Sequence, residues 1–409
     1  MPETTTDADE VLRLAPLTYG DDAPARREVA RRLLADHPEI AGTSIHAAAL
    51  AADVAQVERL LREDPALARA EGGPHRWEPL LYLTYARHDP DIAAEPVLRV
   101  ATLLLEAGAD PNVGYLWHGL PTPFTALAGV FGHGEAGPVA QPPHPHSTAL
   151  ARLLLEAGAD PNDGQALYNR QFEPDDDHLE LLLAHGLGQG DGGPWRALLG
   201  TEVDPPRELV EGQLWWAVTH GFAHRVRLLA EHGAALDQRD ADGHSPSDCA
   251  ALSGDTEMGA LLVSLGAAAP RLEGTDAMVA ALLRGDRAEV DRLEAAAGGL
   301  LAATRAARPG LIVWAAARGR TDALPLLVGL GFDVNALARG DVPREQPWQT
   351  ALHSAVDAGD VALARVLLDL GADPTITDRR FDATPLGWAH HLDRPQLVAL
   401  LEPLEAPAG

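Results

Sequence analysis

Apolar residues fall along this chain in short leucine-rich stretches that stop at a glycine. Leu103 to Asn112 reads LLLEAGADPN, and the same ten letters return from Leu153 to Asn162. Looser versions are RLLAEHGAAL from Arg227, LLVSLGAAAP from Leu261, LPLLVGLGFDVN from Leu324 and ARVLLDLGADPT from Ala364. Each predicts the end of a helix. Glycine accepts the left-handed position just past the last turn, and Asp-Pro-Asn then turns the chain, since it cannot continue a helix. Upstream of most copies stands a second stretch: TSIHAAALAAD from Thr43, SPSDCAALSGD from Ser245, TALHSAVDAGD from Thr350 and TPLGWAHHLD from Thr384. Ahead of them all, Ala23 to Asp36 predicts an amphipathic helix, with Val29, Leu33 and Leu34 as its apolar stripe and its arginines toward water. Residues 1 to 10 are polar and predict a mobile tail, and EAPAG predicts a frayed end.

Recurrence at 20 to 50 residues marks a repeat array. The steps are uneven: 50 residues from Gly108 to Gly158, 33 from Gly233 to Gly266 and 40 from Gly331 to Gly371. The paired motifs resemble the ankyrin repeat, Thr-Pro-Leu-His-x-Ala-Ala followed by a second helix and Gly-Ala-Asp, over roughly residues 43 to 405. The middle of the chain, QPPHPH and then DGQALYNRQFEPDDD, is similar to a group of actinobacterial, hence bacterial, ankyrin proteins with no assigned activity. The resemblance implies an all-α ankyrin-repeat solenoid of about ten helix-turn-helix repeats, each touching only its neighbours. The helix before Asp36 would cap its N-terminal end. Repeats are expected near Thr43, Trp77, Thr122, Gln165, Gly212, Ser245, Thr275, Pro309, Thr350 and Thr384. The chain then divides into a tail and cap (1–42), repeats one to four (43–188), a connecting insertion with one short helix around Trp195 (189–208), and repeats five to ten (209–409). From motif threonine to closing glycine, ordinary repeats span 21 residues, as from Thr350 to Gly371. Repeat two spans 30, from Glu78 to Gly108, and repeat three 36, from Thr122 to Gly158, so both carry insertions between their helices.

Charge narrows the function. Sixty acidic side chains against 32 basic give a net charge of −28. That excludes a phosphate backbone or an anionic membrane face as partner, and favours a basic or cationic one. The one cysteine, Cys249, excludes an intrachain disulfide and points to a reducing compartment. No apolar run approaches a membrane span, and MPETTTDADE lacks the basic and apolar parts of a signal peptide, so a cytoplasmic location is expected. No Walker loop, GxSxG elbow or GxGxxG after a strand is present, and no cofactor is expected.

In the ankyrin fold the first helix of each repeat lines a concave groove. The residue after the motif histidine faces it: Ala47, Tyr82, Ala126, Asn169, Trp216, Cys249, Ala280, Trp314, Ser354 and Trp388. Tyr82, Trp216, Trp314 and Trp388 are thus candidate binding anchors, since rings bury large area at low entropic cost. The other reading is that they fill gaps between helices. A second constellation lies in repeats two to four: Tyr82, Tyr85, Trp117, His118, His144, His146, Tyr168, Asn169, Arg170 and Gln171. Arg170 and Gln171 replace the two small alanines of the consensus. A buried guanidinium needs partners: either it faces a polar pocket with aromatic walls, or it pairs with Asp175, Asp176 or Asp177. Gly132 to Ser147, with QPPHPH inside it, is expected to run extended for about 30 Å across the groove. His133, His144 and His146 could ligate a metal or supply a base, but no cysteine or second spaced pair completes a site, so no metal is expected. The resemblance implies a structural turn hydrogen bond for His46 and His353. Cys249 reads as a core residue. DADGH at Asp240 and PDDDH at Pro174 lack the spaced ligands of a calcium loop.

These features make the chain a binding module that holds a protein, peptide or small ligand in the concave groove. The alternative is an enzyme or small-molecule-binding protein with its pocket in repeats two to four. A scaffold without a pocket is the weaker third reading.

Overall fold

The structure, a computed structural model, describes residues 7–342 and 345–405. Helices dominate, with one two-stranded ribbon, Gly114–Leu116 paired antiparallel with Pro123–Thr125. Among the described residues no helix is long and apolar enough to cross a membrane. Expected helix ends appear where the glycines stand: Gly108, Gly158, Gly233, Gly266, Gly331 and Gly371 have φ between 84° and 104°. Helix starts are fixed by side-chain caps, including Ser44, Asp53, Thr125, Asp163, Asp360 and Thr384, each accepting a backbone N–H of the first turn.

The chain forms two compact units. The first comprises residues 1–216 and 231–234, the second residues 217–230 and 235–409.

In the first unit, Ile45–Leu50 packs on Pro79–Tyr85, which packs on Ala126–Phe131, which packs on Gly164–Arg170. The first three pack on Val54–Glu63, Ala94–Glu106 and Ser147–Glu156 respectively, and Asp177–Ala184 packs on Ser147–Glu156. Gly193–Leu199 forms the short helix expected around Trp195, whose Nε1 donates to the Asn112 carbonyl at 2.9 Å.

The N-terminus differs from expectation. Residues 1–6 of the predicted tail lie outside the described residues, as do 406–409 of the EAPAG end. From Asp7 the chain is ordered as a helix, Asp7–Leu14, because Val11 and Leu12 are buried against neighbouring helices. The next helix, Pro24–Asp36, buries Ala30 and leaves Val29 exposed at 45 %. Its arginines do not all face water: Arg27 donates to the carbonyls of Val139 and Ala140.

In the second unit, Pro246–Leu252 pairs with Thr256–Ser264, Gly274–Leu283 with Arg287–Ala296, and Ala351–Asp357 with Val361–Asp369. Pro385–His391 pairs with Pro395–Glu405. An additional helix, Leu300–Ala307, stands between Arg287–Ala296 and Leu311–Ala317. One apolar cluster runs from Met278 to Leu401 and includes Ile312, Leu327, Leu352, Leu367 and Leu397.

Candidate functional site

The first unit gathers most of the polar and aromatic residues singled out in repeats two to four, and seals them with its own chain. Tyr82, Tyr85, Asn169 and Arg170 are each at most 2 % exposed. The Tyr82 hydroxyl donates to the Gly72 carbonyl at 3.0 Å, and that of Tyr85 to the Thr125 carbonyl at 2.8 Å. Between the two N-terminal helices, Ala15–Asp22 runs against the end of Pro79–Tyr85: Leu17 N–H donates to the Tyr85 carbonyl and Arg87 N–H to that of Ala15. This places Tyr19 against Phe124, ring centres 4.6 Å apart, and Tyr85, 6.4 Å apart. Burial drives the Tyr85 and Tyr115 hydroxyls well above their ordinary pKa. Asp163 accepts from Thr125 Oγ1 and the Ala166 amide, yet burial pushes its carboxyl up to about 6.

Gly132–Ser147 does not run extended. Gly132 (φ 59°) and Gly134 (φ 136°) turn the chain, Gly137–Ala140 forms one helical turn, and the His133 amide donates to the Gln141 carbonyl at 2.7 Å. The insert is therefore a closed loop. Arg87 fastens it: the guanidinium, 6 % exposed, donates to the carbonyls of Pro142, Thr84, Ala86 and Gly129. Burial lowers its pKa to about 10, so it remains charged at neutral pH. Gln141 Nε2 donates to Asp22 at 3.0 Å.

His144 is buried, its amide donating to Val130 O, and His146 Nε2 meets the Ile92 carbonyl at 2.6 Å. Burial holds His144 well below its ordinary pKa and brings His133 to about 4. Tyr168 is 41 % exposed and donates to Glu135 of the insert. Trp117 is half-buried and His118 exposed, on the turn of the ribbon. Arg170 follows the ion-pair alternative: its Nη2 lies 2.7 Å from Asp175 and 2.6 Å from Asp177. Gln171 is buried. Trp216 is half-buried, edge-on to Phe172 at 5.3 Å.

The second unit holds an open cavity of about 730 Å³. Two finger loops and the helices Ala351–Asp357 and Pro385–His391 build most of it, with Ala317 at the end of Leu311–Ala317. Ala338 and Gln349 exchange backbone hydrogen bonds and close the first finger, setting Trp348 at the rim. The second finger is organised by Asp378, 1 % exposed, which accepts from the amides of Arg380, Phe381 and Ala383 and from Trp388 Nε1 at 2.9 Å. Burial alone would raise the Asp378 pKa; these hydrogen bonds outweigh it and hold the carboxyl below its ordinary value. The indole of Trp388 is thereby fixed in orientation. Phe381, 61 % exposed, meets it edge-on with ring centres 6.1 Å apart. Arg380 lies over Trp348 at 5.1 Å and over Phe381 at 5.0 Å, and Arg339 over Trp348 at 4.7 Å. Ser354, Asp357 and His391 complete the polar wall, with Asp341, which is ion-paired to Arg339.

Two of the positions expected to face a groove, Ser354 and Trp388, line this cavity. Trp314 does not: it is 4 % exposed, covered by Arg318 at 4.1 Å, and donates to the Leu252 carbonyl. Trp348, Phe381 and Arg380 carry no signal in the helix pattern, because they sit on fingers. The one available hint is an aromatic residue inside a polar loop, as in DRRFDAT. His353 makes the implied turn bonds, to Thr350 Oγ1 at 2.8 Å and to the Ala383 carbonyl at 3.0 Å. His46 bonds the Ala70 carbonyl at 2.7 Å. Cys249 is partly buried, and burial pushes its thiol up to about 12, with the Asp240 carboxylate adding to the shift. Among the described residues, Asp240, Asp242 and His244 bring potential ligand atoms within 4.8 Å of one another. The Asp240 carboxylate already caps its own loop through the amides of Asp242 and His244.

Residues 348–379 match the family model described as Ankyrin repeat. The match begins at Trp348 and runs through Ala351–Asp357 and Val361–Asp369, so the matched repeat supplies Trp348, Gln349, Ser354, Asp357 and Ala358 to the cavity. It supports an ankyrin-repeat protein. No curated protein matches the chain.

Proposed function

We propose that the chain is an ankyrin-repeat solenoid of about ten repeats, and that it binds a segment of a protein partner in the cavity walled by Trp348, Phe381 and Trp388. Ankyrin repeats are generally protein-interaction modules, and the matched repeat forms one side of this cavity. The observation that carries the reading is the exposure of Phe381, 61 %, beside an indole that is locked in place through Asp378. A large ring left in water next to a pre-oriented one is the arrangement of an anchor pocket. Repeats two to four are a weaker location, because Tyr82, Tyr85, Asn169 and Arg170 are closed off and make hydrogen bonds within the chain. Phe381→Ala and Trp388→Ala test the reading. Partners cross-linked to the wild-type protein in its host, identified by mass spectrometry and reconstituted pure, should lose binding to both variants. Undiminished binding to both would refute it.

A further inference from the structure

We infer that the segment seated in this cavity is basic, with a lysine or arginine head placed over Trp388 and against the carboxylate of Asp357. The inference rests on the binding reading above and adds the chemistry of the partner. Its first support is the way the fold treats these rings. Guanidinium groups of the chain itself cover Trp348, from Arg339 and Arg380, and Phe381, from Arg380. Trp388 has Phe381 and His353 edge-on, and among the described residues no cation over it. A cation facing an indole is favourable by about 0.5–2 kcal/mol, more as water is excluded.

The second support is Asp357. Among the described residues its carboxylate makes no hydrogen bond or close ion pair; Arg394, which donates to its backbone carbonyl at 3.1 Å, attracts its charge from further off. Asp341, across the cavity, is already matched by Arg339. Both lining helices also present their C-terminal ends here, Asp357–Ala358 and His391–Leu392, so their carbonyl dipoles add negative potential. The third support is the charge of the whole chain, −28, which draws cationic segments in and repels anionic ones. Arg380 is the guanidinium of the wall, which would suit an anion, and it is engaged on two rings.

The test is a random peptide library displayed on phage and selected against the full chain, with Trp388→Ala and Phe381→Ala as counter-selections. Thermal melts confirm that both variants fold; Phe381 is outside the core, so at least that variant keeps the comparison sound. Clones lost on either variant should be rich in lysine and arginine. Their synthetic peptides should bind about tenfold more weakly to Asp357→Asn, and more weakly as salt rises. If the clones need Trp388 or Phe381 but are neutral or acidic, or ignore Asp357→Asn, the basic-partner inference fails and the cavity remains a binding site. If no clone depends on either ring, the binding reading fails with it.

Discussion

At the scale of the residue, Arg170 shows how a side chain of the wrong size is accommodated. The repeat pattern asks for a small residue, and the guanidinium is 2 % exposed. Its two carboxylate partners, Asp175 and Asp177, are 53 % and 45 % exposed. The pair is therefore asymmetric, with only the cation withdrawn from water. A hydrogen bond from His178 and the charge of Arg170 hold Asp177 well below the usual carboxylate range, against a rise from burial. Removing the cation leaves two carboxylates that water can solvate, so Arg170→Ala is expected to cost about 1.5–3 kcal/mol, the worth of its charged hydrogen bonds. Asp175→Asn with Asp177→Asn instead leaves a buried cation without its counter-charge, and should cost about 3–5 kcal/mol. Urea unfolding monitored by circular dichroism checks the order. An Arg170→Ala midpoint equal to or above wild type would show that the guanidinium is held under strain.

At the scale of the element, the closed insert and the N-terminal segment act as one lid on the first unit. The Arg87 guanidinium bonds the Pro142 carbonyl of the insert and those of Thr84, Ala86 and Gly129, its backbone N–H bonds Ala15 of the N-terminal segment, and Gly129 and Gly132 make the approach possible. A Cβ on Gly129 would come within 2.2 Å of the Tyr85 ring, and one on Gly132 within 2.3 Å of the Pro142 carbonyl oxygen. Arg87→Ala should release the loop, because its guanidinium ties the Pro142 carbonyl of the insert to those of Thr84, Ala86 and Gly129 outside it. Trypsin cannot report this, since 132–147 has no lysine or arginine; thermolysin cleavage near Val139 should appear in the variant and be absent from wild type. Equal resistance would show that Gln141–Asp22 and the Arg27 bonds suffice. The same elements mark what the sequence makes legible. Helix ends were readable at Gly108, Gly158 and Gly371, because a left-handed residue and a polar turn are local events. Trp388 was readable because it keeps the register of the first helices. The fold-back of the insert, the burial of Tyr85 under Tyr19, and the placing of Trp348 beside Arg380 join residues far apart in the chain, and no periodicity encodes them.

At the scale of the whole molecule, two opposing effects set the response to acid. Burial holds His88 and His133 at about 4 and keeps His144 well below its ordinary value near 6.5. The unfolded chain binds protons at these positions as pH falls through 6.5, while the folded chain does so only at lower pH, about 4 for His88 and His133. Stability is therefore present above 6.5 and is lost on acidification toward 4. Asp163, raised to about 6, works the other way: the folded chain takes its proton first, so folding gains from about pH 6 down to 4. Burial also lowers His46, His75 and His353, so the histidines outnumber Asp163 and the balance is a net loss of stability toward pH 5. Acid also relieves the repulsion within a chain of net charge −28, which favours folding. Salt separates the two, since exposed charges are screened over a few ångströms at about 0.5 M while the buried histidines are not. In 0.5 M sodium chloride the unfolding midpoint should fall steadily from pH 7 to pH 5. His133 isolates one contributor. Its φ is 61°, a conformation that asparagine tolerates, so His133→Asn keeps the turn and removes the titration. The slope of stability against pH should then drop by about 1.4 kcal/mol per unit, the worth of one proton. An unchanged slope would show that His133 is protonated in the folded protein, with Asp175 and Asp177 near enough to hold the charge.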